Sequence, residues 1–132
     1  MFEPMRMPEI VEATLDRYFA AIAARDADAW ATNFAEDGRS EDPVGAAVVT
    51  GRRALKEFQQ SIFDLFPVMR LDVVDRFVCG NGAAVRWRCH VESNGRSVDF
   101  DGINTYEVLP DGRIQGQKAF WDLLAVQQEL SG

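Results

Sequence analysis

The part of the sequence that decides the fold lies at residues 83–108, which read AAVRWRCHVESNGRSVDFDGINTYEV. Apolar and polar residues alternate on both sides of Asn94-Gly95, a pair that is typical of two-residue hairpin turns. Such alternation is typical of half-buried strands, because successive side chains point to opposite faces of a sheet. The pattern predicts an antiparallel hairpin with strands at Ala83 to Glu92 and about Ser97 to Val108.

A two-residue turn at Asn94-Gly95 also predicts the register of this hairpin. Cys89 then opposes Phe100, and Val85 opposes Asn104. One face is predicted to be apolar with a few polar groups, which suits a core or a pocket, and carries Val85, Trp87, Cys89, Phe100, Gly102, Asn104 and Tyr106, followed by Gln117, Ala119 and Trp121 from the next strand. The other face is predicted to be charged and carries Arg86, Arg88, His90, Asp99, Asp101, Lys118 and Phe120.

Two further strands are predicted, one on each side of the hairpin. Leu71 to Cys79 precedes it, because Asn81 with its flanking glycines is typical of a tight turn. Arg113 to Leu123 follows the turn at Pro110-Asp111-Gly112. The second half of the chain is therefore predicted to be a meander of antiparallel strands.

The first half of the chain is predicted to be helical. A first helix begins near Pro8, and a second, capped by Asp26 or Asp28, ends at Glu36-Asp37-Gly38. A short extended segment at 39–42 separates it from a third helix, which Thr50 can cap. The apolar positions of these helices are Val11, Leu15, Tyr18 and Ile22 in the first, Trp30 and Phe34 in the second, and Leu55, Phe58 and Ile62 in the third.

Helices followed by a meander indicate an α+β fold. A strongly curved antiparallel sheet wrapped around N-terminal helices forms a cone, and the space between helices and sheet is where a small ligand is expected. The chain has 132 residues, which fits a single domain over residues 1–132.

Charge and composition exclude several classes of partner. The chain has 14 Lys and Arg against 21 Asp and Glu, and a net charge of −7 is expected to repel nucleic acid and anionic membranes. No apolar run approaches a membrane span, and Met1 to Pro4 lack a signal-peptide pattern, so a cytoplasmic location is expected by default. Cys79 and Cys89 are predicted to be buried free thiols, and no metal site is expected.

Five motifs are spread over nearly the whole chain. The most specific is Glu41-Asp42-Pro43-Val44-Gly45. The others are Arg17-Tyr18-Phe19, Thr50-Gly51-Arg52, Gly112-Arg113-Ile114-Gln115 and Ala119-Phe120-Trp121. In their order and approximate spacing these motifs resemble the bacterial ketosteroid isomerases of the nuclear transport factor 2-like superfamily. SnoaL-like polyketide cyclases share this scaffold and are the alternative family assignment.

The resemblance implies a mechanism and three catalytic residues. In ketosteroid isomerase-like proteins an aspartate removes a proton next to a carbonyl, and a tyrosine and a protonated acid hold the enolate oxygen. Matching motifs place the base at Asp42 and the tyrosine at Tyr18, and the second donor is Asn104, an amide where the family has an acid. Phe34 and Gln59 stand where some relatives have supporting tyrosines, so Tyr18 is expected to lack phenol partners.

Each of these residues also has a structural alternative. Asp42 before proline can be a turn carboxylate, Tyr18 a core residue, and Asn104 the partner of Gln117. Asp99 and Asp101 are interpreted as charge partners of His90 and Arg88 and not as an acid–base pair. The residues predicted to bind substrate are Trp87, Phe100, Trp121, Phe34, Phe58 and Gln117.

Three functions stay open at this point. The first is enolisation of a small hydrophobic carbonyl compound without a cofactor, which extends to the aldol-type cyclisation of SnoaL-like cyclases. The second is non-catalytic binding of a hydrophobic ligand. Hydrolysis in the manner of limonene epoxide hydrolases ranks lower, because Arg86 and Arg88 are predicted to face outward. A homodimer through the outer sheet face, burying Ile103 and Phe120, is also expected.

Overall fold

The computed structural model describes residues 6–131 and contains four helices and one six-stranded sheet. In chain order the elements are α1 (Met7–Ala23), α2 (Ala27–Thr32), β1 (Phe34–Glu41), β2 (Val49–Thr50), α3 (Arg52–Leu65), β3 (Val68–Cys79), β4 (Gly82–Ser93), β5 (Arg96–Val108), β6 (Ile114–Phe120) and α4 (Leu123–Ser131). The sheet is curved and unclosed, so the predicted α+β class is confirmed. Met1 to Pro4, on which the expectation about a signal peptide rests, lie outside the described residues.

The strand order is β2-β1-β6-β5-β4-β3, and all neighbouring strands are antiparallel except β1 and β6. The predicted hairpin register is confirmed: Cys89 pairs with Phe100 and Val85 with Asn104. The pairing of β4 with β5 is predictable because a two-residue turn fixes which residues of the two strands lie opposite each other. The register of β3 against β4 shifts between Val73 and Asp75, which marks a bulge at that edge of the sheet.

Helix α1 forms as the sequence predicts. Its four apolar positions at spacings of four, three and four are all buried. In α2 the carboxylate of Asp26 accepts a hydrogen bond from the amide of Ala29 at 2.9 Å, which confirms one of the two predicted caps.

The predicted end of α2 is wrong. Glu36-Asp37-Gly38 does not terminate a helix but lies inside β1, and α2 ends at Thr32. Parallel pairing of Phe34 with Ile114 holds this segment in the sheet and overrides its turn-like composition. Gly38 is needed there because a Cβ would lie 2.9 Å from the Ile114 carbonyl oxygen, so the glycine marks a close approach and not a turn.

The boundaries of two other elements also differ from the prediction. Gly51, and not Thr50, caps α3, while Thr50 belongs to β2. The last strand ends at Phe120, and the chain continues into the unpredicted helix α4. The Asp122 carboxylate accepts a hydrogen bond from the Ala125 amide at 2.9 Å, which is the interaction expected of a helix-capping residue.

The buried residues form two clusters under the concave face of the sheet. One joins α1 and α2 to the ends of β4 and β5. The other surrounds Trp87 and includes Val126 from α4. Both cysteines are free, but Cys79 is exposed and only Cys89 is buried, because Cys79 lies beside the β3–β4 turn on the outer face. No helix within residues 6–131 is long and apolar enough to cross a bilayer.

Gly102 in β5 is required by the position of Trp87, so its substitution should be destabilising. A Cβ at Gly102 would overlap the Trp87 ring and lie 2.9 Å from the Phe120 carbonyl oxygen. We expect Gly102→Ala to lower the free energy of unfolding by about 1–3 kcal/mol, measured by urea denaturation. Gly116→Ala in β6 is the matched control, because a Cβ there meets no atom within 4 Å. Equal midpoints for the two variants would contradict this role of Gly102.

Candidate functional site

A cavity of about 220 Å³ lies between the concave face of the sheet and helices α1, α3 and α4. Seven residues predicted for the site line it together: Tyr18, Asp42, Phe58, Trp87, Phe100, Asn104 and Trp121. Most of the remaining lining is aliphatic, including Ile62, Leu71 and Val126. The space between helices and sheet therefore contains a cavity whose surface is mainly apolar.

Asp42 follows β1 and brings a carboxylate to this apolar surface. The indole Nε1 of Trp121 donates a hydrogen bond to Asp42 Oδ1 at 2.6 Å. Burial raises the pKa of Asp42 above its ordinary value, and the Trp121 hydrogen bond opposes that rise by stabilising the charged form. The neighbouring Glu41 is held elsewhere, since its carboxylate accepts a hydrogen bond from the Gly45 amide at 2.9 Å.

Tyr18 reaches the cavity from α1, where its side chain is 3% exposed. Burial raises its pKa, and the negative charge of Asp42 raises it further. The phenol of Tyr106 lies beside Tyr18, a neighbour that the sequence analysis did not assign to it, and this neighbour opposes part of the rise in the pKa of Tyr18. The two rings meet edge to face with centroids 5.1 Å apart.

Asn104 is held by two side chains from its own face of the sheet. Trp87 Nε1 donates to Asn104 Oδ1 at 2.9 Å, and Asn104 Nδ2 donates to the Tyr106 hydroxyl at 2.8 Å. The alternative pairing of Asn104 with Gln117 is not formed. In the observed register Ala119 lies opposite Asn104, and Gln117 Oε1 accepts a hydrogen bond from the Ser40 hydroxyl at 3.2 Å.

Two of the residues predicted to bind substrate lie outside the cavity lining. Gln117 is buried between β1 and β5 beside Ser40. Phe34 is fully buried in the core, where its ring packs on Trp30 with centroids 4.8 Å apart. The pattern of apolar and polar residues predicts which side chains face inward. It does not distinguish a position in the packed core from one that lines a cavity, so both residues were assigned to the cavity.

The sequence analysis missed two contributors to the site. Helix α4 was not predicted, so the lining residues Leu123 and Val126 were not anticipated. Tyr106 was placed on the inner face but received no role. Tyr106 is two residues from Asn104 in the same strand, and residues two apart on a strand point to the same face of the sheet. This spacing was the signal that could have linked Tyr106 to Asn104.

Three aromatic rings form one wall of the cavity. Trp87 meets Phe100 edge to face at 5.7 Å, and Phe100 packs on Trp121 at 5.2 Å between ring centroids. Cys89 lies in the same wall, and burial raises the pKa of its thiol to about 12, so the sulfur is neutral at physiological pH. This wall offers a polarisable apolar surface to a flat ligand.

The lining limits the chemistry that the site can perform. Asp42 is the one carboxylate among the lining residues, and the lining contains no Arg, Lys or His. Within residues 6–131 no group of three or more His, Cys, Asp or Glu side chains could hold a metal ion. Asp99 and Asp101 lie on the outer face, where Asp99 contacts His90 at 2.7 Å and Asp101 contacts Arg88 at 3.5 Å, which confirms them as cross-strand partners. What the cavity combines is a carboxylate of raised pKa with neutral hydrogen-bond donors.

Comparison with known proteins identifies the family. Residues 15–117 match the SnoaL-like domain. The chain is 33% identical over 111 residues to the steroid Delta-isomerase of Nocardioides simplex, a match that covers 84% of this chain and 89% of that protein.

Two solved structures share the fold at lower identity. A protein from Jannaschia sp. CCS1 described as a SnoaL-like polyketide cyclase has a TM-score of 0.85 and 22% identity, covering 100% of this chain and 99% of that one. Rv0760c from Mycobacterium tuberculosis, solved with estradiol-17β-hemisuccinate, has a TM-score of 0.78 and 20% identity, covering 86% and 95%. The domain match spans most of the sequence and agrees with these folds, and the chain therefore belongs to the SnoaL-like domain family of the nuclear transport factor 2-like superfamily.

Proposed function

We propose that the protein catalyses enolisation of a small hydrophobic carbonyl compound, with Asp42 as the general base. The observation that carries this proposal is a carboxylate held in an apolar cavity with its pKa raised by burial. A base whose pKa lies closer to the working pH removes a proton more effectively than an ordinary surface aspartate. No cofactor is needed for this chemistry.

In the proposed reaction three of the lining residues have a chemical role. Asp42 removes a proton from the carbon next to the carbonyl, and the electron pair of that C–H bond moves onto the carbonyl oxygen. The hydroxyl of Tyr18 and the second amide hydrogen of Asn104 donate to this oxygen as its negative charge develops. Asp42 then returns the proton to another carbon, so that the substrate is isomerised without net gain or loss of atoms.

The relatives support a flat hydrophobic substrate. The protein from Nocardioides simplex is a steroid Delta-isomerase, and Rv0760c holds a steroid derivative. The aromatic wall formed by Trp87, Phe100 and Trp121 suits a ring system of this kind. We therefore propose a cyclic enone or related carbonyl compound as the substrate class.

The same base supports a second reaction, an aldol-type cyclisation, in which the enolate attacks a carbonyl carbon of the same substrate. The match to the SnoaL-like domain favours it as the second candidate. Epoxide hydrolysis is less favoured, because the lining contains no Arg to act with Asp42 around a water molecule.

Asp42→Asn should abolish proton transfer while leaving the cavity intact. We expect the rate of deuterium exchange into a steroid enone to fall about 10²- to 10⁴-fold, because the amide cannot accept the proton. The measurement is mass spectrometry of the enone after incubation in deuterated buffer. Glu41→Gln is the matched control, since Glu41 lies next in sequence but does not line the cavity, and it should exchange close to the wild-type rate. Equal rates for wild type and Asp42→Asn would leave ligand binding as the function.

Trp121→Phe should shift the pH dependence of exchange. The Trp121 hydrogen bond stabilises the charged carboxylate, so its loss raises the pKa of Asp42 further. Because only the ionised carboxylate is a base, the acid limb of the rate profile should move to higher pH, with recovery of the rate at alkaline pH. Phe100→Leu changes the same wall without touching Asp42 and should leave the limb in place. A limb that stays at the wild-type pH in Trp121→Phe would contradict the role of this hydrogen bond.

We further propose that the outer face of the sheet pairs two copies of the chain. Ile103 and Phe120 are opposite each other in the register and are 43% and 46% exposed. Around them the face carries charges of both signs, including the pairs Arg86 with Asp75 and Arg88 with Asp101. A face with this mixture can meet its own copy across a two-fold axis, since each cation can approach an anion of the partner.

Phe120→Glu should convert this dimer to a monomer. The added carboxylates would be buried near the two-fold axis without partners. Light scattering at micromolar concentration should give a dimer mass for wild type and a monomer mass for Phe120→Glu. Leu65→Glu is the control, because Leu65 is 58% exposed at the end of α3 and away from the sheet face. A monomeric wild type, or loss of the dimer in Leu65→Glu, would contradict the proposed interface.

A further inference from the structure

A glutamine interrupts the buried stripe of helix α3. Leu55, Gln59 and Phe63 follow one another at spacings of four, and all three are at most 6% exposed. On an amphipathic helix such a stripe normally carries apolar side chains, because it faces the core. Glutamine is seldom buried this deeply, and a buried amide normally has hydrogen-bond partners. The position of Gln59 therefore needs an explanation that packing alone does not provide.

The side-chain amide of Gln59 has no hydrogen-bond partner within residues 6–131, whereas its neighbour Gln60 donates to Asp64 Oδ1 at 3.0 Å. The Gln59 amide is also not sealed in the core. In the described part of the chain, the buried side-chain nitrogen or oxygen that lacks both a partner and any accessible surface is Trp30 Nε1. Gln59 lines the cavity, so its amide atoms are reached from there.

Gln59 differs in this respect from Asn104, the other amide of the cavity lining. The oxygen of Asn104 accepts a hydrogen bond from Trp87, so only a donor hydrogen of that amide is left for a ligand. Gln59 keeps both its amide oxygen and its amide nitrogen for a ligand. It can donate to a carbonyl oxygen, and it can also accept from and donate to a hydroxyl group.

The reacting carbonyl of the proposed substrate does not need Gln59. Its oxygen accepts hydrogen bonds from Tyr18 and Asn104, and these two bonds use both of its lone pairs. Gln59 is therefore available to a second polar atom of the ligand. Because Tyr18, Asn104 and Gln59 line one cavity of about 220 Å³, we expect that atom on the same ring as the reacting carbonyl or on a neighbouring ring.

We propose that Gln59 is a specificity-determining residue, which binds a second oxygen of the substrate, a hydroxyl or carbonyl group on the same ring as the reacting carbonyl or on a neighbouring one. The inference rests on the proposed function, because it takes Tyr18 and Asn104 as the donors to the first oxygen. A ligand without the second oxygen covers the Gln59 amide with hydrocarbon and leaves it unpaired, which weakens binding. A site built in this way rejects analogues that lack the polar group.

The test compares ligands that differ by one oxygen. Isophorone is a cyclic enone of one ring, and its hydroxy and oxo derivatives carry a second oxygen at the ring carbon opposite the carbonyl. An octalone with an angular methyl group has two fused rings, and its hydroxy and oxo derivatives carry the second oxygen on the saturated ring. The dissociation constant of each compound is measured by NMR titration of the protein, which requires no turnover.

Wild type should bind at least one of the oxygenated derivatives about 5-fold more tightly than its parent enone. Gln59→Met keeps an unbranched side chain of the same length but removes the amide. It should abolish this preference while binding the parent enones at least as tightly as wild type. Its rate of deuterium exchange at saturating enone should be unchanged, because Gln59 does not contact the reacting atoms. Gln59→Leu, a second apolar replacement, should lose the preference in the same way.

Gln60→Met is the matched control, because it makes the same substitution one position further along α3. Gln60 is exposed and its amide donates to Asp64, so this variant should keep the wild-type preference. Loss of the preference in Gln60→Met would indicate a general effect on the helix and would overturn the role of Gln59. A preference that persists in Gln59→Met would also overturn it, and so would a wild type that prefers none of the derivatives.

The affinities and the exchange rates separate this role from the proposed reaction. If the proposed reaction fails, wild type and Asp42→Asn exchange deuterium at equal rates, while the preference for a second oxygen still depends on Gln59. If the role of Gln59 fails, the affinities show it, and exchange still depends on Asp42.

Discussion

The proposed chemistry depends on the burial of one carboxylate. Removing Asp42 from water disfavours its charged form, and the Trp121 indole partly offsets that cost with one short hydrogen bond. A second strong donor or a nearby cation would favour the carboxylate so much that it ceased to be a useful base. The lining contains no Arg, Lys or His, and the hydrogen bond recorded to Asp42 comes from Trp121, so burial is opposed by one donor.

The curved sheet brings the separated parts of the site together. Asp42 follows β1, Tyr18 belongs to α1 and Asn104 to β5, and the segments lie far apart in sequence. The inner face of the sheet aligns Trp87, Asn104 and Tyr106, because β4 and β5 are paired in one fixed register. A slip of one residue between the two strands would turn Trp87 to the face opposite Asn104 and Tyr106, so the hairpin turn at Asn94-Gly95 contributes to the geometry of the site as well as to the fold.

The sequence predicts the structure correctly where neighbouring residues alone determine the conformation. The β4–β5 register follows from a two-residue turn, and the placement of Asp42, Tyr18 and Asn104 around one cavity follows from the motif resemblance and the alternation. Prediction from the sequence failed where distant segments decide the outcome. The pairing of β1 with β6, the core position of Phe34 and the packing of Tyr106 on Tyr18 each depend on contacts between remote segments that no local pattern encodes.

Within residues 6–131 the sheet also has a long unpaired edge, since β3 pairs on one side only while the strand at the opposite edge has two residues. Twelve residues of open backbone would normally invite strand-by-strand growth into fibres. The bulge between Val73 and Asp75 interrupts the ladder, and the charged Arg70 and Asp72 precede it, which are both features that disfavour pairing with another chain. The irregular backbone and the charges of this border thus disfavour growth of the sheet from that side.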